Sequence, residues 1–88
     1  MPYRFSFSER FHKHFLDLTE QERILILKKL ELFAENPMHP SLRTKRVQGT
    51  DRMFECSINL DLRVIWHHNG DDLIILADVG RHSILRKY

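Results

Sequence analysis

The chain has 88 residues, of which 42% are hydrophobic and 30% charged, and its formal net charge at pH 7 is +2. A chain of this length buries only about 60% of the surface that its unfolded form exposes, so we expect one domain over residues 1–88. No segment approaches the roughly 18 unbroken apolar residues of a membrane span, and the first residues lack the apolar core of a signal peptide. We therefore expect a cytoplasmic protein. The single cysteine, Cys56, excludes an internal disulfide and any multi-cysteine zinc site, and we expect no metal and no other cofactor.

The N-terminal half predicts a strand followed by two helices. Residues 3–7, YRFSF, alternate aromatic with polar side chains, which is the period of a half-buried strand. A helix is predicted to begin at Ser8, and Thr19 and Glu22 have the spacing of a capping box at the start of a second helix. The Asn-Pro pair at residues 36–37 ends that helix, because proline disfavours helical geometry in the residue before it. Two helices joined by so short a turn predict an antiparallel helical hairpin.

After residue 40 the hydrophobic period changes from that of a helix to that of a strand. Residues 53–58 (MFECSI) alternate, residues 62–68 (LRVIWHH) are mostly apolar, and the Asn-Gly pair at 69–70 predicts a tight turn into residues 73–79 (LIILADV). Three consecutive strands of this kind predict a meander. The predicted fold class is therefore α+β, in the order β-α-α-β-β-β, with the helical hairpin packed on one face of a small antiparallel sheet.

The second helix is predicted to bury one apolar stripe. The stripe consists of Ile24, Leu27, Leu30 and Phe33, which recur every three residues, and Ile26 and Ala34 widen it. With strand residues added, the predicted core includes Leu27, Leu30, Phe33, Phe54, Ile58, Val64 and Ile75. Cys56 alternates with Phe54 and Ile58 and is predicted to be a core residue rather than a nucleophile.

The basic side chains are concentrated in two segments. Between residues 43 and 52 four basic residues are opposed by a single acid, and from residue 79 onward three basic residues have no acidic neighbour: Arg43, Lys45, Arg46 and Arg52, then Arg81, Arg86 and Lys87. If the fold brings the two segments together, they form an electropositive surface suited to a polyanion. The alternative is that both are solvated loops with a chance excess of positive charge.

The whole chain resembles a known family. The order of elements, the phrase HPSLRTKRVQG after the second helix, the strand pair ECSINLDLRVIW and the Gly-x-His-Ser sequence near the C-terminus together resemble the RelE/ParE superfamily of toxins from type II toxin–antitoxin systems. The resemblance is closest to the branch of ribosome-dependent mRNA endoribonucleases, or mRNA interferases, that includes YafQ. It implies a RelE-like fold and a toxin that inhibits translation by cleaving mRNA.

The resemblance also implies three catalytic residues. His82 takes the place of the family's C-terminal catalytic histidine, Asp61 that of the hairpin aspartate, and Arg63 that of an arginine that contacts the scissile phosphate. These residue types suit metal-independent RNA cleavage, because a histidine transfers protons near pH 7 and an arginine offers a fixed charge to phosphate oxygens. Each also has a structural interpretation: His82 as a surface histidine, Arg63 as an ion-pair partner of Asp61 or Asp78, and Asp61 as a turn residue after Asn59.

RNA binding is expected from the basic residues around these positions. They are Lys45, Arg46, Arg81 and Arg86, together with Tyr88. We expect Lys45, Arg46, Arg63 and Arg81 to face one groove. The chain departs from the YafQ-like pattern at Ser57, which stands in place of a histidine, and at Arg86, which stands in place of an aromatic residue. The loss of that histidine leaves open a ParE-like inhibitor of DNA gyrase or a non-catalytic nucleic-acid-binding member of the superfamily.

The partners implied by the resemblance are a cognate antitoxin, the ribosome and mRNA. Such toxins are held inactive by an antitoxin encoded beside them, and the pair binds its promoter DNA as a complex. The toxin alone is expected to be a monomer that does not bind membranes. An acidic, amphipathic antitoxin segment would complement a surface that carries exposed arginines and lysines.

Overall fold

The structure, a computed structural model, describes residues 3–82. Within that range the chain forms two α-helices, one turn of 3₁₀ helix and five strands. In chain order they are β1 (Arg4–Phe7), α1 (Glu9–Leu16), α2 (Glu20–Glu35), the 3₁₀ turn (Pro40–Leu42), β2 (Lys45–Arg46), β3 (Phe54–Ser57), β4 (Leu62–His68) and β5 (Leu73–Arg81). Neither helix of the described range combines the length and the apolar character that crossing a membrane requires.

The strands of this range form one sheet in the order β1-β5-β4-β3-β2. The predicted α+β class, with a helical hairpin on a sheet, is confirmed. The sheet is mixed rather than antiparallel as predicted, because β1 runs parallel to β5. Short turns force β3, β4 and β5 into antiparallel pairs, whereas β1 and β5 are separated by most of the chain and no turn constrains their relative direction. The two-residue strand β2 is too short to produce a periodic signal, and the sequence did not predict it.

Both helices begin where the sequence predicts. Ser8 caps α1 by accepting a hydrogen bond from the Phe11 backbone N–H, and its own hydroxyl donates to the Ala77 carbonyl at 2.6 Å. Thr19 and Glu22 form the predicted capping box at the start of α2, with reciprocal bonds of 2.9 and 3.1 Å. The Ser8 hydroxyl therefore both starts α1 and ties it to β5.

The buried face of α2 differs from the predicted one. Ile26, Leu30 and Phe33 are buried, and they are spaced by four and then three residues. Ile24 and Leu27 are about half exposed. The prediction that Leu27 is a core residue is therefore wrong. Both stripes share positions 30 and 33, so the period alone allows either, and the rotation of α2 against the sheet selects the one that includes Ile26.

The core lies between the helices and one face of the sheet. Trp66 is fully buried at its centre, with its ring stacked 4.8 Å from Phe54 and edge-on to Phe33 at 4.9 Å. The predictions for Leu30, Phe33, Ile58 and Val64 are confirmed, and Phe54 and Ile75 are half-buried. Cys56 is buried as predicted, and burial raises the pKa of its thiol to about 12. Its sulfur is therefore protonated at neutral pH and unsuited to nucleophilic attack.

A β-bulge interrupts the pairing of β4 with β5. Ile65 pairs with Asp78 and Trp66 pairs with Leu76, which leaves Ala77 as an extra residue on β5. Strict alternation would place residues 76 and 79 on opposite faces, yet Leu76 and Val79 both lie in the core between sheet and helices. From Val79 onward, the residues of β5 therefore face the side opposite to the one that simple alternation from Leu76 predicts.

At the bulge a buried carboxylate joins β5 to α1. The Asp78 side chain is fully buried, its Oδ1 lies 2.6 Å from Nδ1 of His14, and it accepts a hydrogen bond from the Val79 N–H. The His14 side chain remains 34% exposed. A buried carboxylate needs such partners because desolvation penalises an unpaired charge. This pair and the Ser8 hydroxyl hold α1 against the second half of β5.

We expect the Leu30→Ala substitution to lower the free energy of unfolding by about 2–5 kcal/mol, because it leaves a cavity in the core. Leu27→Ala removes the same atoms from an exposed position and should cost no more than about 0.5 kcal/mol. Urea unfolding followed by circular dichroism measures both. Equal losses for the two variants would contradict the observed rotation of α2.

We expect the His14→Ala substitution to destabilise the fold by about 1–3 kcal/mol, because it leaves the buried Asp78 carboxylate without one of its hydrogen-bond partners. His12→Ala is the matched control, since it removes an exposed histidine from the same helix. Thermal and urea unfolding at neutral pH compare the two. Equal stability of both variants would show that the contact between α1 and β5 contributes nothing measurable.

Candidate functional site

One face of the sheet carries no helix within the described residues. Cys56 and Val64 point into the helix-side core, so their strand neighbours Glu55, Ser57 and Arg63 lie on the opposite face. The register pairs Arg63 with Ser57 on one side and with residue 80, a glycine, on the other. Arg63 therefore lies between strands β3 and β5 on this face, which we call the open face.

On the open face a glutamate bridges two of the predicted substrate-binding cations. Glu55 Oε2 lies 3.9 Å from Nε of Arg63, and Glu55 Oε1 lies 3.6 Å from Nζ of Lys45. The Glu55 side chain is 14% exposed. Glu55 is not among the site residues that the sequence predicts. The period of the strand could have identified it, because Glu55 precedes Ser57 by two residues and therefore shares its face.

The turn between β3 and β4 holds Arg63 and Asp61 in place. The Asn59 side-chain oxygen accepts hydrogen bonds from the backbone N–H groups of Asp61 and Leu62, and the Asn59 carbonyl accepts one from Arg63 at 2.8 Å. Arg63 also donates to the Leu62 carbonyl at 3.1 Å. Asp61 is thus a turn residue, as its structural interpretation predicts. The guanidinium of Arg63 is oriented by the same turn.

A second group of predicted site residues meets at the end of β5. Arg81 donates to the Asp61 carboxylate at 2.9 Å, and the His82 backbone N–H donates to the Asp61 carbonyl at 2.6 Å. Arg81 also binds the Glu22 carboxylate, at 2.6 and 3.1 Å. His82 is exposed and lies in the turn that follows β5. The structure therefore brings Asp61, Arg81 and His82 together at the end of β5, where Arg81 lies one residue pair along the ladder from the Arg63–Gly80 pair.

The contacts of Arg81 shift the pKa values of both partners in that ion pair. The hydrogen bond from Arg81 lowers the pKa of Glu22 below its ordinary value, and the capping bond from the Thr19 backbone N–H adds to this effect. The hydrogen bond to Glu22 raises the pKa of Arg81, and the bond to Asp61 raises it further. Arg81 therefore links the start of α2 to the turn between β3 and β4.

The four cations expected in one groove do not share a face. Lys45 lies with Arg63 on the open face, whereas Arg46 lies over the Phe54 ring on the helix side, with 6.0 Å between its guanidinium carbon and the ring centroid. Adjacent strand residues point to opposite faces, which explains the separation of Arg46 from Lys45. Arg81 faces α2 because the bulge reverses the alternation of β5. The prediction of a single groove is therefore wrong for Arg46 and Arg81.

Two further RNA-binding predictions, Arg86 and Tyr88, lie outside the described residues.

In residues 3–82, no group of three or more histidine, cysteine, aspartate or glutamate side chains is placed to hold a metal ion. The open face carries instead a set of fixed charges and hydroxyl groups.

Two helices packed on a mixed five-stranded sheet, with this strand order, define the RelE-like α+β fold. The structure is similar to archaeal RelE in the RelE-RelB complex from Pyrococcus horikoshii OT3, with a TM-score of 0.75 and 19% identity over 92% of this chain and 96% of that one. It is also similar to a chain of the E. coli DinJ-YafQ toxin-antitoxin complex, with a TM-score of 0.76 and 15% identity over 98% and 99% of the two chains. A metal-bound toxin from Helicobacter pylori gives a TM-score of 0.76 and 23% identity over 97% and 99%.

The resemblance to RelE and YafQ toxins is thus confirmed at the level of the fold. No protein-family model matches the sequence, and no curated protein matches it significantly. At identities of 15–23% the similarity to solved structures concerns the fold. The function depends on the side chains of the site, which the fold alone does not specify.

We expect the Arg81→Ala substitution to raise the pKa of Glu22 toward its ordinary value, because the hydrogen bond from Arg81 is the largest cause of its depression. A depressed carboxylate pKa stabilises the fold at neutral pH, and this stabilisation is lost as the pH falls through the folded-state pKa. The variant should therefore lose less stability than the wild type on acidification. NMR titration of the Glu22 carboxyl measures the pKa.

Arg4→Ala is the control for that titration. Arg4 lies on the edge strand β1 and forms an ion pair with Asp72, which precedes β5 at the end of that strand furthest from Arg81. An unchanged Glu22 titration in Arg81→Ala would show that the contact does not persist in solution.

Proposed function

We propose that the protein is the toxin of a type II toxin–antitoxin pair and inhibits translation as a ribosome-dependent mRNA endoribonuclease. The observation that carries this proposal is the joining of β5 to the β3–β4 turn, where the His82 N–H binds the Asp61 carbonyl beside the Arg63 strand. All three residues that the resemblance assigns to catalysis therefore lie at one end of two paired strands. The similarity of the fold to RelE and YafQ supports the same class of protein.

In the proposed mechanism the protein side chains carry out acid–base cleavage of RNA. His82 donates a proton to the leaving 5′-oxygen, since imidazole exchanges protons near neutral pH. Arg63 stabilises the negative charge that develops on the phosphate, and the turn carbonyls that orient its guanidinium hold it ready for that role. His82 follows Arg81 in the turn after β5, where its backbone N–H binds the Asp61 carbonyl.

Two carboxylates are candidates for the group that activates the 2′-hydroxyl. Asp61, which the sequence favours, is bound by Arg81, and its side chain is 56% exposed. Glu55 lies next to Arg63 on the open face and is largely shielded from solvent. A base must lie within hydrogen-bond reach of the hydroxyl that it deprotonates. The position of Glu55 beside Arg63 favours it as the base. Asp61 then has the role of anchoring the end of β5.

We expect His82→Ala and Arg63→Ala each to lower single-turnover mRNA cleavage on programmed ribosomes by at least about a hundredfold, which is the contribution of one acid–base or charge-stabilising group. His12→Ala is the matched control and should cleave at the wild-type rate. Glu55→Gln and Asp61→Asn distinguish the two carboxylates. The substitution that removes the base should lower the cleavage rate by a similar factor, and the other should not. Product analysis should show a 2′,3′-cyclic phosphate and a 5′-hydroxyl, and cleavage should persist in EDTA at concentrations that leave the ribosome assembled.

Two results would overturn the proposal. If His82→Ala cleaved at the wild-type rate while its circular dichroism showed an intact fold, the histidine would have no part in the mechanism. If the wild-type protein left ribosome-bound mRNA uncut but slowed supercoiling by gyrase, the ParE-like function would replace the nuclease.

A cognate antitoxin is the proposed protein partner. Two of the similar structures are complexes with such partners, RelB and DinJ. The hairpin of α1 and α2 has an apolar groove lined by residues that include Phe7, Leu16 and Leu27, each more than half exposed. An amphipathic antitoxin segment could bury this apolar surface. Cytoplasmic localisation, a monomeric free toxin, binding to ribosome and mRNA, and promoter DNA binding by the complex belong to the same proposal.

A further inference from the structure

A surface depression of about 280 Å³ lies beside Arg63, between the 3₁₀ turn and the β3–β4 turn. Its polar lining comes from Ser41, Arg43, Ser57, Asn59 and Arg63. None of the residues that line it is acidic. Two guanidinium groups with hydroxyl and amide groups between them are the donors that a phosphate diester accepts from, and Arg suits this role better than Lys because of its fork of N–H groups.

The backbone that carries Arg43 is anchored, whereas its side chain is available. Arg43 has a left-handed conformation (φ 49°), and its backbone N–H donates to the Pro40 carbonyl at 3.1 Å. The next residue, Thr44, donates its hydroxyl to the Pro37 carbonyl at 2.7 Å. Among residues 3–82, no carboxylate forms an ion pair with Arg43. Its charge is thus presented to solvent from a fixed position.

Glu55, the acidic residue on the other side of Arg63, already pairs with two cations. Glu55 divides its carboxylate between Lys45 and Arg63 and does not line the depression. The positive charge of Arg43 therefore remains uncompensated at the site, and it adds to that of Arg63. An anion that enters the depression meets two cations without meeting a carboxylate in its lining.

The rim of the depression offers an apolar surface. Leu60, at the tip of the β3–β4 turn, is 90% exposed and lines the same depression. An apolar side chain next to a cationic pocket matches a nucleotide, whose phosphate is charged and whose base has a flat apolar face. A free phosphate or a sulfate would use only the cations. The combination favours a nucleotide unit of single-stranded RNA.

We propose that this depression is a subsite for the nucleotide adjacent to the scissile bond, with Arg43 binding its phosphate and Leu60 contacting its base. The proposal rests on the proposed function, because Arg63 then holds the scissile phosphate at one wall of the depression. Ser57 contributes a small hydroxyl to its lining instead of a bulkier imidazole. Arg43 is thereby a substrate-binding residue and takes no part in proton transfer.

The test measures binding of a short single-stranded RNA whose 2′-hydroxyls are all methylated, so that it cannot be cleaved. Fluorescence anisotropy over a range of salt concentrations gives the slope of log K against log salt, which is about −0.7 for each phosphate contact on a single strand. Arg43→Ala should weaken binding several-fold and make the slope shallower by about 0.7. Arg43→Lys keeps the charge and should keep the slope. Leu60→Ala should weaken binding with the slope unchanged.

Arg4→Ala is the matched control, since it removes one exposed arginine from the far edge of the sheet and should change neither affinity nor slope. An unchanged slope in Arg43→Ala, with a shallower slope in Arg63→Ala, would overturn the subsite and leave the nuclease intact. A wild-type protein that cleaves no ribosome-bound mRNA, yet whose RNA binding depends on Arg43 as described, would contradict the proposed function and support the subsite. Circular dichroism of each variant verifies the fold.

Discussion

The bulge at Ala77 is the constraint on which most of the structure beyond it depends. One extra residue in β5 changes which side chains face the helices for the rest of the strand. It lets Asp78 and Val79 both face the helices and turns Arg81 toward the first turn of α2. It also places Gly80 opposite Arg63. Both helices are therefore attached to β5 through groups that the bulge positions.

The polar side chains around the site are of two kinds. Some hold the fold together, and others are available to bind a substrate. Arg81 joins the capping box of α2 to the β3–β4 turn, so a basic residue in the signature near the C-terminus has a structural task. Arg63 lies at the junction between that structural network and the open face, because the turn carbonyls orient it and Glu55 borders it. A guanidinium that is oriented before substrate arrives loses less conformational freedom on binding, which favours charge stabilisation.

The similarity to RelE and YafQ at low identity has a physical explanation. The fold requires apolar residues of suitable size at core positions such as Trp66, Phe33 and Ile26, and many sequences meet that requirement. On the open face only a small apolar cluster around Val47 and Ile65 is subject to this requirement, and the polar positions beside it are free of it. Ser57 in place of a histidine, and Glu55 between two cations, give this chain its own arrangement of charges on a shared fold.

The sequence by itself determined both helices and four of the five strands, together with their order; only the two-residue strand β2 gave no signal. The capping box at Thr19 and Glu22, the Asn-Pro stop after α2 and the alternation of residues 53–58 are local signals, because each depends on neighbours within a few residues. The same local reasoning identified Cys56 as a core residue and Asp61 as a turn residue, and both are confirmed.

Only the tertiary structure decided how these elements face one another. The rotation of α2 exposes Leu27 and buries Ile26, although both positions fit a helical stripe that includes Leu30. The direction of β1 depends on a partner at the other end of the chain, and the side on which Arg81 lies depends on a bulge that has no signal in the local period. Glu55 becomes a candidate site residue only when the register sets it beside Arg63 and Lys45. These features arise from pairing and packing between segments that are distant in sequence. A local pattern does not report the free energy of those interactions.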